Sequence, residues 1–202
     1  MKVKDIFNEI LLPIKLLIPQ PAVARIPGLT TNQDIRIKQV LRYVKGRCLD
    51  IGCGDNRLIQ EYKARGGDGI GIDIYPWDGV DLVVEDSSNL PFPDSCFDTV
   101  TFVACLNHIP RRVDILREAH RVLEDDGVVI ITFLQPAIST IWHKICFWDK
   151  DQKLRGMKEG EVYGFTRRQI GALLQTAGFR IIKKGKFSWG LNNLYVCAKN
   201  QV

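Results

Sequence analysis

The chain has no CxxC pair and no His and Cys at metal-ligand spacing, and no apolar run near the roughly 20 residues needed to cross a bilayer. Its six cysteines (Cys48, Cys53, Cys96, Cys105, Cys146, Cys197) are scattered, which argues against a zinc site or redox pair and fits reduced thiols in a cytoplasmic protein. The longest nearly apolar stretch, residues 10–18, is interrupted by Pro13 and Lys15. Lys2, Lys4 and Ala22-Val23-Ala24 outline a signal peptide, but Asp5, Glu9, Pro13 and Lys15 make its apolar segment a poor one. Internal repeats and low-complexity tracts are also missing. With 202 residues, 46% hydrophobic and 25% charged, collagen-like, mucin-like and disordered readings are excluded, and one well-cored domain with at most one appendage is expected.

Charge is unevenly distributed. Residues 1–45 hold 8 basic and 3 acidic side chains, residues 46–140 hold 8 and 16, and residues 141–202 hold 12 and 4. The acidic centre suits a neutral or cationic ligand, whereas the basic flanks suit an anionic surface or partner.

Local signals alternate along the chain. Thr31-x-x-Asp34 resembles a capping box and opens a helix over 31–45. Strand-like runs then follow at 48–51, 70–74, 82–84, 99–104 and 128–133, separated by helical patterns over 56–64 and 110–123, the second with Pro110 in its first turn and a stop before Asp125-Asp126-Gly127. Thr166-x-x-Gln169 is a second capping box, leading to a helix that stops at Gly178. Strands over 179–187 and 194–198 are close enough for an antiparallel return. This alternation predicts a parallel sheet wrapped by helices, mixed at one edge. Residues 134–165 break the rhythm with a long connection, of the kind that serves as a binding loop or lid.

The strongest local signal is Cys48-Leu-Asp-Ile-Gly-Cys-Gly-Asp-Asn56, a strand running into Gly52-x-Gly54 and a helix start. Glycines there permit a tight turn and let a ligand approach backbone N–H groups. The pattern alone could serve a dinucleotide, another nucleotide or only a turn. Asp50 and Asp55 flank the glycines and Arg57 stands where GxGxxG has its third glycine, so a pyrophosphate would be repelled and a cationic group favoured. Asp73 ends the next strand, where a carboxylate can accept from both hydroxyls of a ribose. Asp86 and Ser87 follow a third strand, where an adenine amino group could be bound. Three acids at successive strand ends match the place where open α/β sheets bind ligands.

With these residues the sequence resembles the class I S-adenosylmethionine-dependent methyltransferases, particularly the small-molecule kind called methyltransferase type 11. The resemblance rests on Leu49-Asp-Ile-Gly-Cys-Gly54, Gly71-Ile-Asp73, Glu85-Asp-Ser-Ser-Asn-Leu-Pro-Phe92, Phe97-Asp98 through Leu106-Asn-His108-Ile, and Glu118 to Gly127 with the strand after it. It implies an α/β, Rossmann-like, doubly wound seven-stranded sheet of order 3-2-1-4-5-7-6 with strand 7 antiparallel, in three α/β/α layers. It also implies S-adenosylmethionine as cofactor, S-adenosylhomocysteine as product, and no metal. Carried over, Asp50, Gly52, Cys53 and Gly54 shape the methionine pocket, Asp73 and Ile74 the ribose site, Asp86 and Ser87 the adenine site, with Val103 at the fourth strand's exit. Asn56 departs from the family's third glycine.

In-line methyl transfer needs position and exclusion of water more than a catalytic side chain. His108, just past the fourth strand, is the candidate base, with a helix-entry role as its alternative. Trp142, His143, Trp148 and Tyr163 are the substrate-side candidates, with packing of a small subdomain as theirs. The expected organisation is an N-terminal amphipathic segment and helix over 1–45 and a methyltransferase domain over 46–202, with a lid at 134–165. The expected reaction is methylation of oxygen or nitrogen on a small or carrier-linked acceptor by a cytoplasmic enzyme. A second version has a lipid- or glycan-linked acceptor and peripheral membrane contact through residues 1–20, whose apolar side chains could equally form a dimer contact or cover the active site. An RNA-modifying methyltransferase and a non-catalytic cofactor-binding scaffold are the competing readings. The exit of the fourth strand, Ala-Cys-Leu-Asn-His-Ile-Pro110, has neither the Asn/Asp-Pro-Pro-aromatic nor the Pro-Cys signature of nucleic-acid methyltransferases.

Overall fold

The structure, a computed structural model, describes residues 8, 10, 11, 15, 18, 20–86, 88–136, 140 and 159–200. Its elements are α1 (Gln20–Ala24), α2 (Asn32–Val40), β1 (Arg47–Ile51), α3 (Arg57–Lys63), β2 (Asp68–Asp73), β3 (Leu82–Val83), β4 (Phe97–Val103), a 3₁₀ turn (Leu106–His108), α4 (Arg112–Val122), β5 (Leu123–Leu134), α5 (Arg167–Thr176), β6 (Phe179–Phe187) and β7 (Asn192–Lys199). One seven-stranded sheet runs in the order β3-β2-β1-β4-β5-β7-β6. Its neighbours pair in parallel up to β5, and β7 is antiparallel to both β5 and β6. The sheet order and the reversed strand are those expected from the sequence.

Strand alternation divides the core between the two sheet faces. Leu49, Ile51, Val129, Ile131 and Phe133 pack with Ile115, Leu116, Ile170 and Leu174 of α4 and α5. Cys48, Ile130, Leu194 and Val196 pack with Ile37 and Val40 of α2 and Leu58 and Ile59 of α3. Each such buried aliphatic side chain contributes about 1.5–3 kcal/mol, so the sheet cannot slip by one residue without exposing a whole row.

Both capping boxes form. Thr31 Oγ1 accepts from Asp34 N at 3.1 Å while Asp34 Oδ2 accepts from Thr31 N at 2.9 Å. The same reciprocal pair joins Thr166 and Gln169. Among the boundaries that differ from expectation, three have a visible cause. Helix α2 ends at Val40 rather than residue 45, because Lys45 gives its backbone N–H to Thr99 Oγ1 and its carbonyl accepts from the same hydroxyl, which docks the chain on β4. Pro110 lies outside α4, which starts at Arg112. Ile109, held extended by the following proline, terminates the 3₁₀ turn instead of opening the helix. Residues 125–127 lie within β5, not in a turn. Leu123 pairs with Phe97, and the register then shifts before Val128 pairs with Thr99.

The parallel strands end together on one edge, which carries the glycine turn after β1, Asp73 at the end of β2 and the 3₁₀ turn after β4. The β6–β7 turn lies there too, because Asn192 at the start of β7 pairs with Leu134 at the end of β5.

Candidate active site

The turn after β1 is built from residues that only this local geometry tolerates. Gly52 and Gly54 have φ of +70° and +56°, a region open to glycine at no cost. A Cβ on Gly52 would come within 2.7 Å of Cys105 Cβ, whereas one on Gly54 would meet nothing within 4 Å. Gly52 is therefore small so that the exit of β4 can pack against it, and the space in front of Gly54 is open to a ligand. Asn56, at the position of the family's third glycine, has φ +57° and is 1% exposed. Asparagine is among the few side chains that adopt this conformation readily, and its Nδ2 donates to Gly79 O at 2.9 Å. The departure from glycine thus preserves the backbone and adds an anchor.

Asp73 closes the turn from the neighbouring strand. Its Oδ2 accepts from Gly54 N at 3.0 Å and its Oδ1 from Tyr75 N at 3.0 Å. Asp50 is buried on β1 and accepts from Thr101 Oγ1 across the β1–β4 pair at 2.6 Å. Burial pushes the Asp50 carboxyl up to about 7; the Thr101 hydrogen bond opposes this, and the charges of Asp73 and Asp55 add to it. The result is a buried acid whose electrostatic neighbours are more acids. A ligand bringing an ammonium or sulfonium would relieve that repulsion. Burial also pushes the thiols of Cys53 and Cys105 upward, with the Asp50 and Asp73 charges acting in the same sense. They stay protonated and serve as packing, not as nucleophiles.

Other expected site residues fall as follows. Ile74 is 47% exposed beside Asp73, an apolar surface at the strand end. Val103 is partly buried and packs toward the α2–α3 side. Asp86 is exposed and already engaged: Oδ1 accepts from Ser88 N and Oγ at 2.8 and 2.7 Å, and Oδ2 from Arg111 at 3.2 Å. The Ser88 hydrogen bonds above all hold its carboxyl below the usual range. Ser87, Trp142, His143 and Trp148 lie outside the described residues. Tyr163 is exposed, on the segment that rejoins the sheet before α5.

His108 sits at the end of the 3₁₀ turn after β4, with Nδ1 3.1 Å from Glu161 Oε2. Sequence reasoning missed Glu161, whose partner is 53 residues away. It also missed Thr101, legible only once β1 and β4 are known to be neighbours. A third omission is Arg121, which binds Glu118, Asp94 and the carbonyls of Leu90 and Phe92 and so ties the loop after Asp86 to α4.

The fold and an acidic, glycine-braced carboxyl edge define a Rossmann-like α/β enzyme that binds a nucleoside-bearing cationic ligand. A family model described as a methyltransferase domain matches residues 30–184. The chain belongs to this family, the class I S-adenosylmethionine-dependent methyltransferases. It is 26% identical over 197 residues to a demethylmenaquinone methyltransferase of Staphylococcus carnosus, covering 82% of this chain and 81% of that one. For several other curated relatives the chain spans less than half of their length. Among solved structures, a protein of Pyrococcus horikoshii superposes with a TM-score of 0.67 at 19% identity, covering 83% of this chain and 90% of that one. The 1,6-didemethyltoxoflavin N1-methyltransferase of Burkholderia thailandensis, solved with its substrate and S-adenosylhomocysteine, superposes with a TM-score of 0.61 at 18% identity, covering 83% and 77%.

Proposed function

We propose that this enzyme methylates an oxygen or nitrogen of a small or carrier-linked acceptor, with His108 as the base. The observation that carries the donor side is the arrangement of Asp50, Asp73 and Gly54: a buried carboxyl repelled by its neighbours, a second carboxylate bracing the turn, and open space before the glycine backbone. Asp50 would face the ligand's cationic end, Asp73 its ribose hydroxyls, and Asp86, in exchange with Arg111, its adenine. When bound, S-adenosylmethionine supplies a methyl carbon on a sulfonium, which needs only an aligned nucleophile. The chain's own task is to hold the acceptor, exclude water and take the acceptor's proton on His108. Trp142, His143, Trp148 and Tyr163 are the proposed acceptor contacts.

Calorimetric titration with S-adenosylmethionine, S-adenosylhomocysteine and NAD tests this reading. Micromolar binding of the two adenosyl ligands, absent for NAD and weakened in Asp73→Ala, is expected. Loss of binding by the wild-type chain would remove the donor site. Tight donor binding with no turnover on any acceptor would favour a scaffold instead, and salt-dependent binding of RNA would favour the nucleic-acid reading.

A lipid-linked acceptor is favoured by the carboxyl edge itself. Trp189 is 63% exposed in the β6–β7 turn, with the Lys186 stem beside the adjoining Gly190, and Ile26 is 42% exposed next to Arg25 ahead of α2. The S. carnosus relative is, by its name, a demethylmenaquinone methyltransferase. No helix among the described residues is long and apolar enough to cross a membrane, so contact would be peripheral, through this edge and residues 1–20. Lys15 of that segment points inward, donating to Asn8 Oδ1 at 3.1 Å and Thr30 O at 3.0 Å. Co-sedimentation with anionic vesicles, comparing the full chain with one lacking residues 1–20 and with Trp189→Ser, tests this; equal absence of binding in all three would retire the membrane contact.

A further inference from the structure

The geometry points to Glu161 as the residue that positions His108 for proton transfer. The proposal rests on the reading of His108 as the base and adds a partner that no sequence signal marks. Glu161 belongs to a short strap, residues 160–165, by which the chain returns from the long connection after β5. The strap is stapled down at several points: Val162 N donates to Asn107 O at 3.0 Å, Arg112 Nη2 donates to Gly160 O at 2.7 Å and to Asn107 O at 3.1 Å, and Phe165 N donates to Leu134 O at 3.2 Å. These contacts lock Glu161 against the exits of β4 and β5.

The Glu161 side chain is 2% exposed and that of His108 is 16% exposed. A carboxylate buried to this degree is costly unless its charge and its lone pairs are met. Arg112 is close enough for its guanidinium, made less basic by burial, to be pushed the other way by the Glu161 charge. An ionised carboxylate can only accept. The imidazole Nδ1 must then donate, so the neutral ring carries its proton on Nδ1 and its lone pair on Nε2. Glu161 therefore selects the tautomer whose Nε2 is basic, fixes the ring plane and offsets the charge of the imidazolium. As an acceptor O–H or N–H proton passes to Nε2, the freed electron pair forms the bond to the methyl carbon, and the pair of the broken C–S bond leaves with sulfur as a neutral thioether. The proton on Nε2 then returns to solvent.

The first readout needs no known acceptor. The full chain labelled with ¹⁵N-histidine contains His108, His120 and His143, and the ring nitrogens of His108 are assigned by their loss in His108→Gln. In the wild type His108 is expected as the Nδ1–H tautomer. In Glu161→Ala it shifts toward the Nε2–H form that free histidine favours, while the amide signals of Asn107 and Val162, read from a uniformly ¹⁵N-labelled sample, stay in place. In Glu161→Gln, whose side-chain oxygen can still accept, the Nδ1–H form is retained in part, which covers the case where the alanine variant unfolds. With a substituted hydroquinone as acceptor probe, Glu161→Ala lowers transfer on the order of a hundredfold, with S-adenosylmethionine affinity within twofold. An Nε2–H tautomer in the wild type, or one indifferent to Glu161, would overturn the proposal, as would a loss of donor affinity matching the loss of rate. Failure of the wild type to bind S-adenosylmethionine would instead strike the functional reading and leave the tautomer result standing.

Discussion

Asp73 at the end of β2 accepts the backbone N–H of Gly54 at 3.0 Å, so the residue expected to bind the ribose also braces the turn that receives the ligand. Its other oxygen accepts from Tyr75 N. Both carboxylate oxygens thus face N–H donors, and an amide cannot serve both. Asp73→Asn must turn an NH₂ toward one donor, and Asp73→Ala abandons two charge-assisted bonds worth about 1.5–3 kcal/mol each. Calorimetry should show donor affinity reduced at least tenfold in Asp73→Asn and further in Asp73→Ala, with a lowered Tm in both.

Asp50 makes stability depend on pH in the opposite sense from a salt-bridged acid. Its carboxyl is raised from 3.8 to about 7 in the folded chain. Below pH 4 it is protonated in both states and costs nothing. Between about pH 4 and 7 the unfolded chain releases the proton and the folded chain keeps it, so stability falls as pH rises, and above 7 the full penalty remains. The Tm of Asp50→Asn relative to wild type should therefore rise between pH 4.5 and pH 8, on the order of 5 °C. A difference independent of pH would contradict the assignment. Since a cationic ligand favours the ionised acid, donor binding near pH 6.5 should release a fraction of a proton, measurable by titration in buffers of different ionisation enthalpy.

Asn56 separates backbone need from side-chain need. Asn56→Gly keeps the positive φ and loses the side-chain hydrogen bonds to Gly79 O and Asp81, whereas Asn56→Ala loses the same bonds and puts a Cβ-bearing residue without local compensation at φ +57°. Chemical denaturation should show alanine more destabilising than glycine by about 1 kcal/mol.

Arg121 holds the 90–94 loop to α4 through Leu90 O, Phe92 O and the Asp94 carboxylate, while pairing with Glu118. Its hydrogen bonds to Glu118 and Asp94 raise its already high pKa further. Arg121→Met leaves the Glu118 carboxylate, 18% exposed, without its guanidinium partner and frees the loop that follows Asp86. Amide exchange over residues 88–95 should accelerate at least tenfold, with weaker binding of S-adenosylmethionine and little change in exchange over β1.

How much of this was legible in the linear chain follows the range of the forces involved. The capping boxes at Thr31 and Thr166 and the glycine turn at Gly52–Gly54 depend on hydrogen bonds and φ preferences within a few residues, so local residue types decide them. The apolar runs of β1, β2, β4 and β5 are legible because a strand buried on both faces must be apolar throughout, and Asp50 within β1 and Asp73 at the end of β2 stand out as site residues for the same reason. The boundaries that were misread, at Lys45, Pro110 and Leu123, are those where a partner strand or an extended residue outbid the local helix signal.

What the sequence by itself determined is therefore the set of elements, their order in the sheet through resemblance, and the acidic character of the ligand edge. Only the tertiary structure decided that Asp50 shares a field with Asp55 and Asp73, that Thr101 caps it from the next strand, that Asp86 is paired with Arg111, and that Glu161 reaches His108 across 53 residues. Desolvation and pairing between distant residues depend on which segments topology brings into contact, and no pattern of neighbours along the chain encodes that.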